Sequence, residues 1–155
     1  MNGTIVERLR GKRRVHLDSV IVIYFIERHA RYGPLVRPLF EGVDRGEMVA
    51  ITSYLTLLEV LVQPLRVGRL DLAQEYRDVL VESRHLRLHA VDREIAEQGA
   101  EIRASFRAIK TPDAIQLATA LRLGADVFVT NDRRLDGFDR LEVVVLDDLL
   151  PGGAP

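Results

Sequence analysis

The sequence predicts an α/β fold in which helices cover both faces of a central, mostly parallel sheet. Short segments that are apolar throughout alternate along the chain with longer segments whose apolar residues recur at helical spacing. A strand that is apolar on both sides is typical of a parallel sheet, because such a sheet is buried on both faces. With 155 residues, of which 47% are hydrophobic and 29% charged, the chain suits one globular domain, 1–155, with a single core.

Five short apolar segments are predicted to be strands, and they are residues 15–18, 47–52, 86–91, 126–132 and 141–150. The segments between them are predicted to be helices, at residues 20–28, 33–46, 54–65, 70–83, 92–106 and 113–124. Ser19 and Ser53 can cap the helices that follow them, since a hydroxyl accepts hydrogen bonds from first-turn amides. Thr111 followed by Pro112 indicates a further helix start.

The composition excludes several classes of function. The chain has no cysteine, so disulfides, zinc–thiolate sites and a thiol nucleophile are ruled out. A net charge of −1 does not indicate bulk binding of nucleic acid. No apolar run reaches the roughly 20 residues of a transmembrane helix, so we expect no membrane partner and, by default, a cytoplasmic location. Residues 1–14 are expected to be a basic extension, solvated or in contact with a partner, and 151–155 a disordered tail.

Acidic residues stand where predicted strands end or where helices begin. Asp18 closes the first strand and Asp132 follows the fourth. Asp113 opens the helix that leads into the fourth strand, which places it at the same edge because that helix runs antiparallel to the strand. Ligands bind at the carboxyl edge of open parallel sheets. Glu59 lies in a strongly apolar helix, where a carboxylate is at least partly desolvated and is costly unless it is paired or binds a metal.

Each acid also has a structural explanation of its own. Asp18 could cap a helix, and Asp132 could form an Asx turn or a cap. Asp113 could be a first-turn acid favoured by the helix dipole. Glu59 could pair with a buried arginine or reach out to solvent. These explanations are independent of one another, whereas one shared site accounts for all four positions.

A cleft with carboxylates only indicates a hard divalent cation. Mg²⁺ and Mn²⁺ prefer oxygen ligands, and such a cation can lower the pKa of a bound water to produce a nucleophile for phosphoryl displacement. Thr130 and Asn131 could orient waters or an aspartate beside such a cation. The histidines are scattered without a metal-binding pair and are expected to be structural; they are His16, His29, His85 and His89.

Basic residues near the acids are candidates for binding a phosphate backbone. Arg107 and Lys110 lie just before Asp113, and Arg133 and Arg134 follow Asp132. Guanidinium groups suit phosphate oxygens, although surface arginines are more often simply solvated. The N-terminal basic residues precede the first strand and so begin at the opposite end of the sheet from the acids.

Four sequence blocks resemble those of PIN domains, especially the VapC-type toxins of bacterial toxin–antitoxin pairs. The blocks are "LDSVIVIYFI", "TSYLTLLEVL", "TPDAIQLATAL" and "FVTNDRRL", and the resemblance covers about residues 15–149. It implies a three-layer α/β/α sandwich and metal-dependent endoribonuclease activity on RNA. It also implies a small VapB-type antitoxin that fills the groove, and a homodimer.

By the same resemblance, Asp18, Glu59 and Asp113 would be the core metal ligands. Asp132 would be the fourth acid, and Thr130 the hydroxyl beside it. The cation would be Mg²⁺ or Mn²⁺. The seventeen residues before Asp18 are more than such domains often have, which leaves the role of the N-terminus open.

Three other functions remain open at this point. A PIN nuclease could act on DNA or in RNA processing outside a toxin pair. A phosphoacceptor or phosphatase-type α/β domain also places an aspartate after its first strand, but the dehalogenase type has a second aspartate where this chain has Val20. A binding module that has lost catalysis is the third, and the presence of all four acids argues against it.

Overall fold

The computed structural model describes residues 3–152 and shows a five-stranded, fully parallel sheet in the order β3-β2-β1-β4-β5. The strands are β1 (Arg14–Leu17), β2 (Val49–Ser53), β3 (Leu86–His89), β4 (Val127–Thr130) and β5 (Val143–Val145). The helices are α1 (Ile5–Arg8), α2 (Ser19–Ile26), α3 (Gly33–Asp44), α4 (Tyr54–Arg66), α5 (Leu70–Val81), α6 (Arg93–Ser105) and α7 (Thr111–Arg122). Two short 3-10 helices follow β4 and β5, at Arg133–Leu135 and Leu146–Leu149.

The sheet separates two apolar cores, one on each face. Val127 and Val129 of β4 pack into the larger core with α1 to α5, whereas Phe128 between them packs into the smaller core with α6 and α7. This alternation follows from the period of two along a strand. The predicted three-layer α/β/α fold with about five strands is confirmed. Within residues 3–152, no helix is long and apolar enough to cross a bilayer.

The N-terminal segment is more ordered than the sequence predicted. Thr4 and Glu7 form a capping box that starts α1, and Ile5 and Leu9 are each only 2% exposed in the larger core. The prediction of a solvated extension is therefore wrong for this helix, because its two apolar residues pack against the domain. The basic residues that follow lie at the amino ends of the strands, where the Asp126 carboxylate accepts hydrogen bonds from two backbone amides, those of Arg13 and Arg14.

Several predicted boundaries differ from the observed ones. The fifth strand was predicted over 141–150 but covers only Val143–Val145, because the apolar residues after it form a 3-10 helix. The fourth strand ends at Thr130, not at 132. Thr111 is the first residue of α7, and Lys110 before it is an N-cap without a side-chain hydrogen bond. Of the expected tail at 151–155, residues 151–152 form a turn and 153–155 lie outside the described residues.

Candidate active site

The four acids singled out from the sequence line one cleft. Asp18 and Asp132 follow β1 and β4, which are neighbours in the sheet, so both lie at its carboxyl edge. Asp113 is in the first turn of α7, and Glu59 is in the second turn of α4. The cleft has a volume of about 490 Å³. Its remaining lining residues are Ser19, Val20, Ile23, Tyr24, Asn131 and Arg133.

Asp18 combines a capping role with a place in the cleft. Its Oδ1 accepts a hydrogen bond of 2.8 Å from the Ser19 amide at the start of α2, and its Oδ2 accepts one of 2.6 Å from the Thr130 hydroxyl. Burial, with a smaller contribution from the charges of Asp113 and Glu59, raises the pKa of Asp18 to about 6 despite these two donors. The two explanations for Asp18 are compatible, since each uses a different oxygen atom.

Thr130 links the two acids at the strand ends. It is fully buried, donates to Asp18 and accepts a 3.0 Å hydrogen bond from the Asp132 amide. A residue with no exposed surface cannot contact substrate in this conformation. Its contribution to the site is therefore to orient Asp18 and the backbone at Asp132.

Glu59 reaches the cleft from α4 and is held by a hydroxyl. Its Oε1 accepts a 3.2 Å hydrogen bond from Ser19 Oγ. The residue as a whole is exposed, and its neighbour Leu58 is 61% exposed, so the apolar residues around Glu59 in the sequence do not enclose it. Partial desolvation of the carboxyl nevertheless raises the pKa of Glu59, and the charge of Asp113 raises it too. The predicted partial desolvation of the carboxyl group is thus present, although the residue as a whole is exposed.

Arg134 lies between the other two acids. The Asp132 carboxylate accepts hydrogen bonds of 3.0 Å from both the amide and the Nε of Arg134, and these lower its pKa. Arg134 Nη2 is also 3.7 Å from Asp113 Oδ2. Desolvation nevertheless raises the pKa of Asp113, and the nearby charge of Asp132 adds to the rise. Three of the four carboxyl groups therefore disfavour ionisation in this conformation.

Comparison with known proteins identifies the family. A model of the PIN domain matches residues 15–141 of the sequence, which is most of the chain. The chain belongs to the PIN domain family. The resemblance in the four sequence blocks is thereby confirmed. Among curated proteins, none matches the sequence significantly.

Solved structures of VapBC and VapC proteins share this fold. The chain resembles VapBC2 from Rickettsia felis bound to promoter DNA, with a TM-score of 0.69 and 16% identity over 85% of this chain and 98% of that one. It also resembles the sarcin–ricin loop cleaving toxin VapC20 of Mycobacterium tuberculosis, with a TM-score of 0.64 and 18% identity over 83% and 98%. A third similar structure is DNA-bound VapBC from Salmonella typhimurium, with a TM-score of 0.61 and 21% identity over 86% of this chain and 98% of that one. At these identities the similarity shows the fold.

The four basic candidates differ in position. Arg133 lines the cleft, where its Nη2 donates a 2.7 Å hydrogen bond to Asp148 Oδ1. Arg134 is paired with the acids. Arg107 and Lys110 are exposed in the segment just before α7, outside the cleft lining. A phosphate contact by any of them therefore stays a prediction.

Sequence reasoning missed the hydroxyl and amide groups beneath the cleft of this PIN domain. Ser19 was predicted to cap α2, which is wrong because Asp18 is the cap and Ser19 is the first residue of the helix; its hydroxyl instead contacts Glu59 and Thr56. Thr56 in turn contacts Thr52 and Gln116. A signal for them existed, since uncharged polar residues interrupt otherwise apolar segments at these positions. Their mutual contacts, however, depend on helix packing that the sequence does not give.

The chemical type of the ligand atoms in the cleft suits a hard cation. All four acids that line the cleft offer carboxylate oxygens, the ligand type preferred by Mg²⁺ and Mn²⁺. Three of them have raised pKa values, as expected where carboxylates are desolvated and lie near one another. In this conformation, no three acidic or histidine side chains within residues 3–152 are close enough together to hold an ion. Asp132 is instead turned towards Arg134.

Proposed function

We propose that this PIN domain is a metal-dependent endoribonuclease and the toxin of a VapBC-type pair. The observation that carries the proposal is that four carboxylates from different parts of the fold line one cleft at the carboxyl edge of the sheet. Membership of the PIN family and the similarity to solved VapBC and VapC structures support it. Because the family is established, the phosphoacceptor alternative is set aside. A PIN nuclease in RNA processing outside a toxin pair remains the second candidate.

Asp18, Glu59 and Asp113 would hold Mg²⁺ or Mn²⁺, with Asp132 as the fourth acid. When bound, the cation would lower the pKa of a water so that it becomes the nucleophile for phosphodiester hydrolysis. The chain itself holds the carboxylates in place. Thr130 and the Ser19 amide fix the two oxygens of Asp18, and the Ser19 hydroxyl fixes Glu59. These bonds orient Asp18 and Glu59, whereas Asp132 is turned towards Arg134 and would have to move to contact the cation.

The substrate of the proposed nuclease is single-stranded or looped RNA. Arg107, Lys110, Arg133 and Arg134 are proposed to contact its phosphates. Lys110 supports this placement because it is exposed and directly precedes α7, whose first turn carries Asp113. Arg133 supports it because it lines the cleft itself.

The proposal is tested by incubating the purified chain with RNA in Mg²⁺ or Mn²⁺ and in EDTA. Asp18→Asn, Glu59→Gln and Asp113→Asn should each reduce cleavage by at least about 100-fold, since each removes a charged ligand. Asp92→Asn is a matched control, because Asp92 caps α6 outside the cleft and asparagine caps equally well. Cleavage that survives EDTA, or acid variants as active as the control, would overturn the proposal.

An antitoxin is proposed to block this cleft with an arginine in place of the cation. A cleft lined by carboxylates attracts guanidinium groups, and Arg134 already contacts two of these acids. Several similar structures were solved as toxin–antitoxin complexes. The test is to search for a small open reading frame directly upstream, to co-express its product with this chain and to crosslink the two proteins. A partner that crosslinks far from Asp18, Glu59 and Asp113 would contradict it.

A homodimer is proposed through the exposed apolar face of α4. The face consists of Tyr54, Leu58, Val62 and Leu65, which are 48%, 61%, 42% and 47% exposed. Their spacing of three or four residues places them on one side of the helix. Contiguous exposed apolar residues of this kind mark protein contacts. Light scattering should give the mass of a dimer for the wild type and of a monomer for Leu58→Lys, and a monomeric wild type would refute the dimer.

A further inference from the structure

We propose that Thr56 and Gln116 are positioning residues that set the separation of three site acids, Asp18, Glu59 and Asp113. Neither residue lines the cleft, and both are buried beneath it, at 0% and 1% exposure. They act through hydrogen bonds between the elements that carry the acids. The inference rests on the proposed function, since it assigns the purpose of these bonds to the same site.

Thr56 is the centre of a buried hydrogen-bonded cluster. Its Oγ1 lies 3.0 Å from Ser19 Oγ, 2.8 Å from Thr52 Oγ1 and 2.7 Å from Gln116 Nε2. The Thr52 hydroxyl also donates a 2.8 Å hydrogen bond to the Leu17 carbonyl at the end of β1. The cluster therefore connects β1, α2, β2, α4 and α7 at one point.

Each of these connections lies beside a site acid. Thr56 and Glu59 are three residues apart on α4, and Asp113 and Gln116 are three residues apart on α7. Residues at this spacing share a helix face. The bond between Thr56 and Gln116 thus fixes α4 to α7 one turn from each acid.

The third acid is tied to the cluster through its neighbour in the chain. Ser19 directly follows Asp18, and its hydroxyl contacts both Thr56 and Glu59 Oε1. The bond between Ser19 and Thr56 therefore fixes the start of α2, where Asp18 lies, to α4. Loss of the Thr56 hydroxyl would remove the contacts of α4 with both α2 and α7 at once.

The cluster is a costly way to fill this space if packing is its only purpose. Gln116 Oε1 is buried and has no hydrogen-bond partner within residues 3–152. A buried polar atom without a partner destabilises a fold, and apolar residues of similar size would avoid that cost. The alignment of α4, α7 and α2 at the acids is what the amide and hydroxyl provide and apolar side chains would not.

The test compares Thr56→Val and Gln116→Met with Thr56→Ser, which restores the hydroxyl. Thr119→Val is the matched control, because Thr119 is also fully buried on α7 but, within residues 3–152, its hydroxyl bonds only to the Ile115 carbonyl of its own helix, at 2.7 Å. Calorimetry with Mn²⁺ alone should give a dissociation constant at least about tenfold higher for Thr56→Val and Gln116→Met. Thr56→Ser should lie within about threefold of wild type, and Thr119→Val should match it.

Two further readouts separate positioning from the proposed nuclease activity. With RNA, Thr56→Val should lower kcat about tenfold with an unchanged KM, since the ligands are misplaced but the RNA contacts remain. In a crystal structure of Thr56→Val, α4 and α7 should be displaced relative to each other at Glu59 and Asp113, because the Thr56–Gln116 bond that joins the two helices is lost. A wild type that cleaves no RNA would refute the nuclease, while Mn²⁺ affinities and the crystal structure would still decide on positioning. Wild-type Mn²⁺ affinity in both variants, or an unchanged position of α4 relative to α7 at Glu59 and Asp113, would overturn the inference.

Discussion

Arg134 Nη2 lies 3.7 Å from Asp113 Oδ2 while the same guanidinium is hydrogen-bonded to the Asp132 carboxylate. The chain thus supplies its own cation between two acids of the cleft. The pKa of Asp132 is lowered by this contact, whereas the pKa of Asp113, which Arg134 only approaches, stays raised. A divalent cation bound between these acids would compete with Arg134 for their oxygens.

Removal of that competition should tighten metal binding. Arg134→Ala is expected to lower the dissociation constant for Mn²⁺ about threefold, a modest change because the Arg134 side chain is 49% exposed. Calorimetry measures the effect. Arg122→Ala is the control, since Arg122 pairs with Glu94 on the helices α7 and α6 rather than with a site acid. Weaker Mn²⁺ binding by Arg134→Ala would show that Arg134 supports the site instead of competing for it.

Asp113→Asn should be inactive yet more stable than wild type without metal. The raised pKa of Asp113 means that its ionised form is disfavoured in the fold, so stability falls as pH rises through the folded pKa. Asparagine removes the charge at nearly constant shape, and we expect a gain on the order of 1 kcal/mol at neutral pH in EDTA. The gain should shrink as pH falls towards 4. Thermal melting in EDTA and across pH measures it.

Metal should reverse that order of stability. Mn²⁺ stabilises the wild type by about RT ln(1 + [L]/Kd), because it binds only the folded state, and Asp113→Asn should gain much less. If Asp113 served only the helix dipole, the substitution would instead cost a few tenths to about 1 kcal/mol. A mutant that melts below wild type in EDTA, with equal shifts in Mn²⁺, would make Asp113 a purely structural residue.

Thr130→Val tests how Asp18 is held. Valine keeps the shape of the buried side chain but removes the 2.6 Å hydrogen bond to Asp18 Oδ2. A hydrogen bond to a charged group contributes about 2 kcal/mol, so urea unfolding in EDTA at neutral pH should show a loss of that order. Thr130→Ser keeps the donor and should stay close to wild type. Equal stabilities of the valine and serine variants would mean that the bond contributes nothing.

His16 should limit stability in acid. It is fully buried in β1 and stacked on Phe128 with ring centroids 4.7 Å apart, and neither ring nitrogen has a partner in the described part of the chain. Burial lowers its pKa from 6.5 to about 3. Between these values the unfolded chain binds a proton that the folded chain does not, so stability falls as pH drops below 6.5.

His16→Leu should remove that dependence. We expect leucine to stabilise the protein at pH 7 by about 1–3 kcal/mol, since it replaces two buried polar atoms that lack partners. Its advantage should grow by up to roughly 1.4 kcal/mol for each pH unit below 6.5. Urea unfolding at pH 7 and pH 5 measures both effects. Stability curves of the two proteins that run parallel with pH would contradict the assignment of a neutral, buried imidazole.

Local patterns predicted the parts of the fold and site that depend on neighbours in the chain. The apolar segments predicted the five strands. The placement of Asp18, Asp132 and Asp113 at the carboxyl edge of the sheet, where ligands bind, predicted that they share one site. The helix α1 was missed because four residues carry too little periodicity, although the capping box of Thr4 and Glu7 marks it.

Contacts between residues that are far apart in the chain could not be predicted from the sequence. Thr56 and Gln116 are sixty residues apart, and their hydrogen bond depends on how α4 and α7 pack. The sequence likewise does not predict that the Arg134 side chain contacts Asp132 instead of extending into solvent, because this depends on the side-chain conformation. Such details decide how the acids are held, even where their presence at one edge follows from the sequence.

The most direct test of the account is the chemistry of the RNA ends after cleavage. Hydrolysis by a water activated at an acid-only site predicts products with a 5′-phosphate, formed in Mg²⁺ or Mn²⁺ and abolished by EDTA. Sequencing of cleaved RNA by ligation that requires a 5′-phosphate, with Asp18→Asn as the inactive comparison, detects them. Products with a 2′,3′-cyclic phosphate, formed equally well in EDTA, would contradict the account.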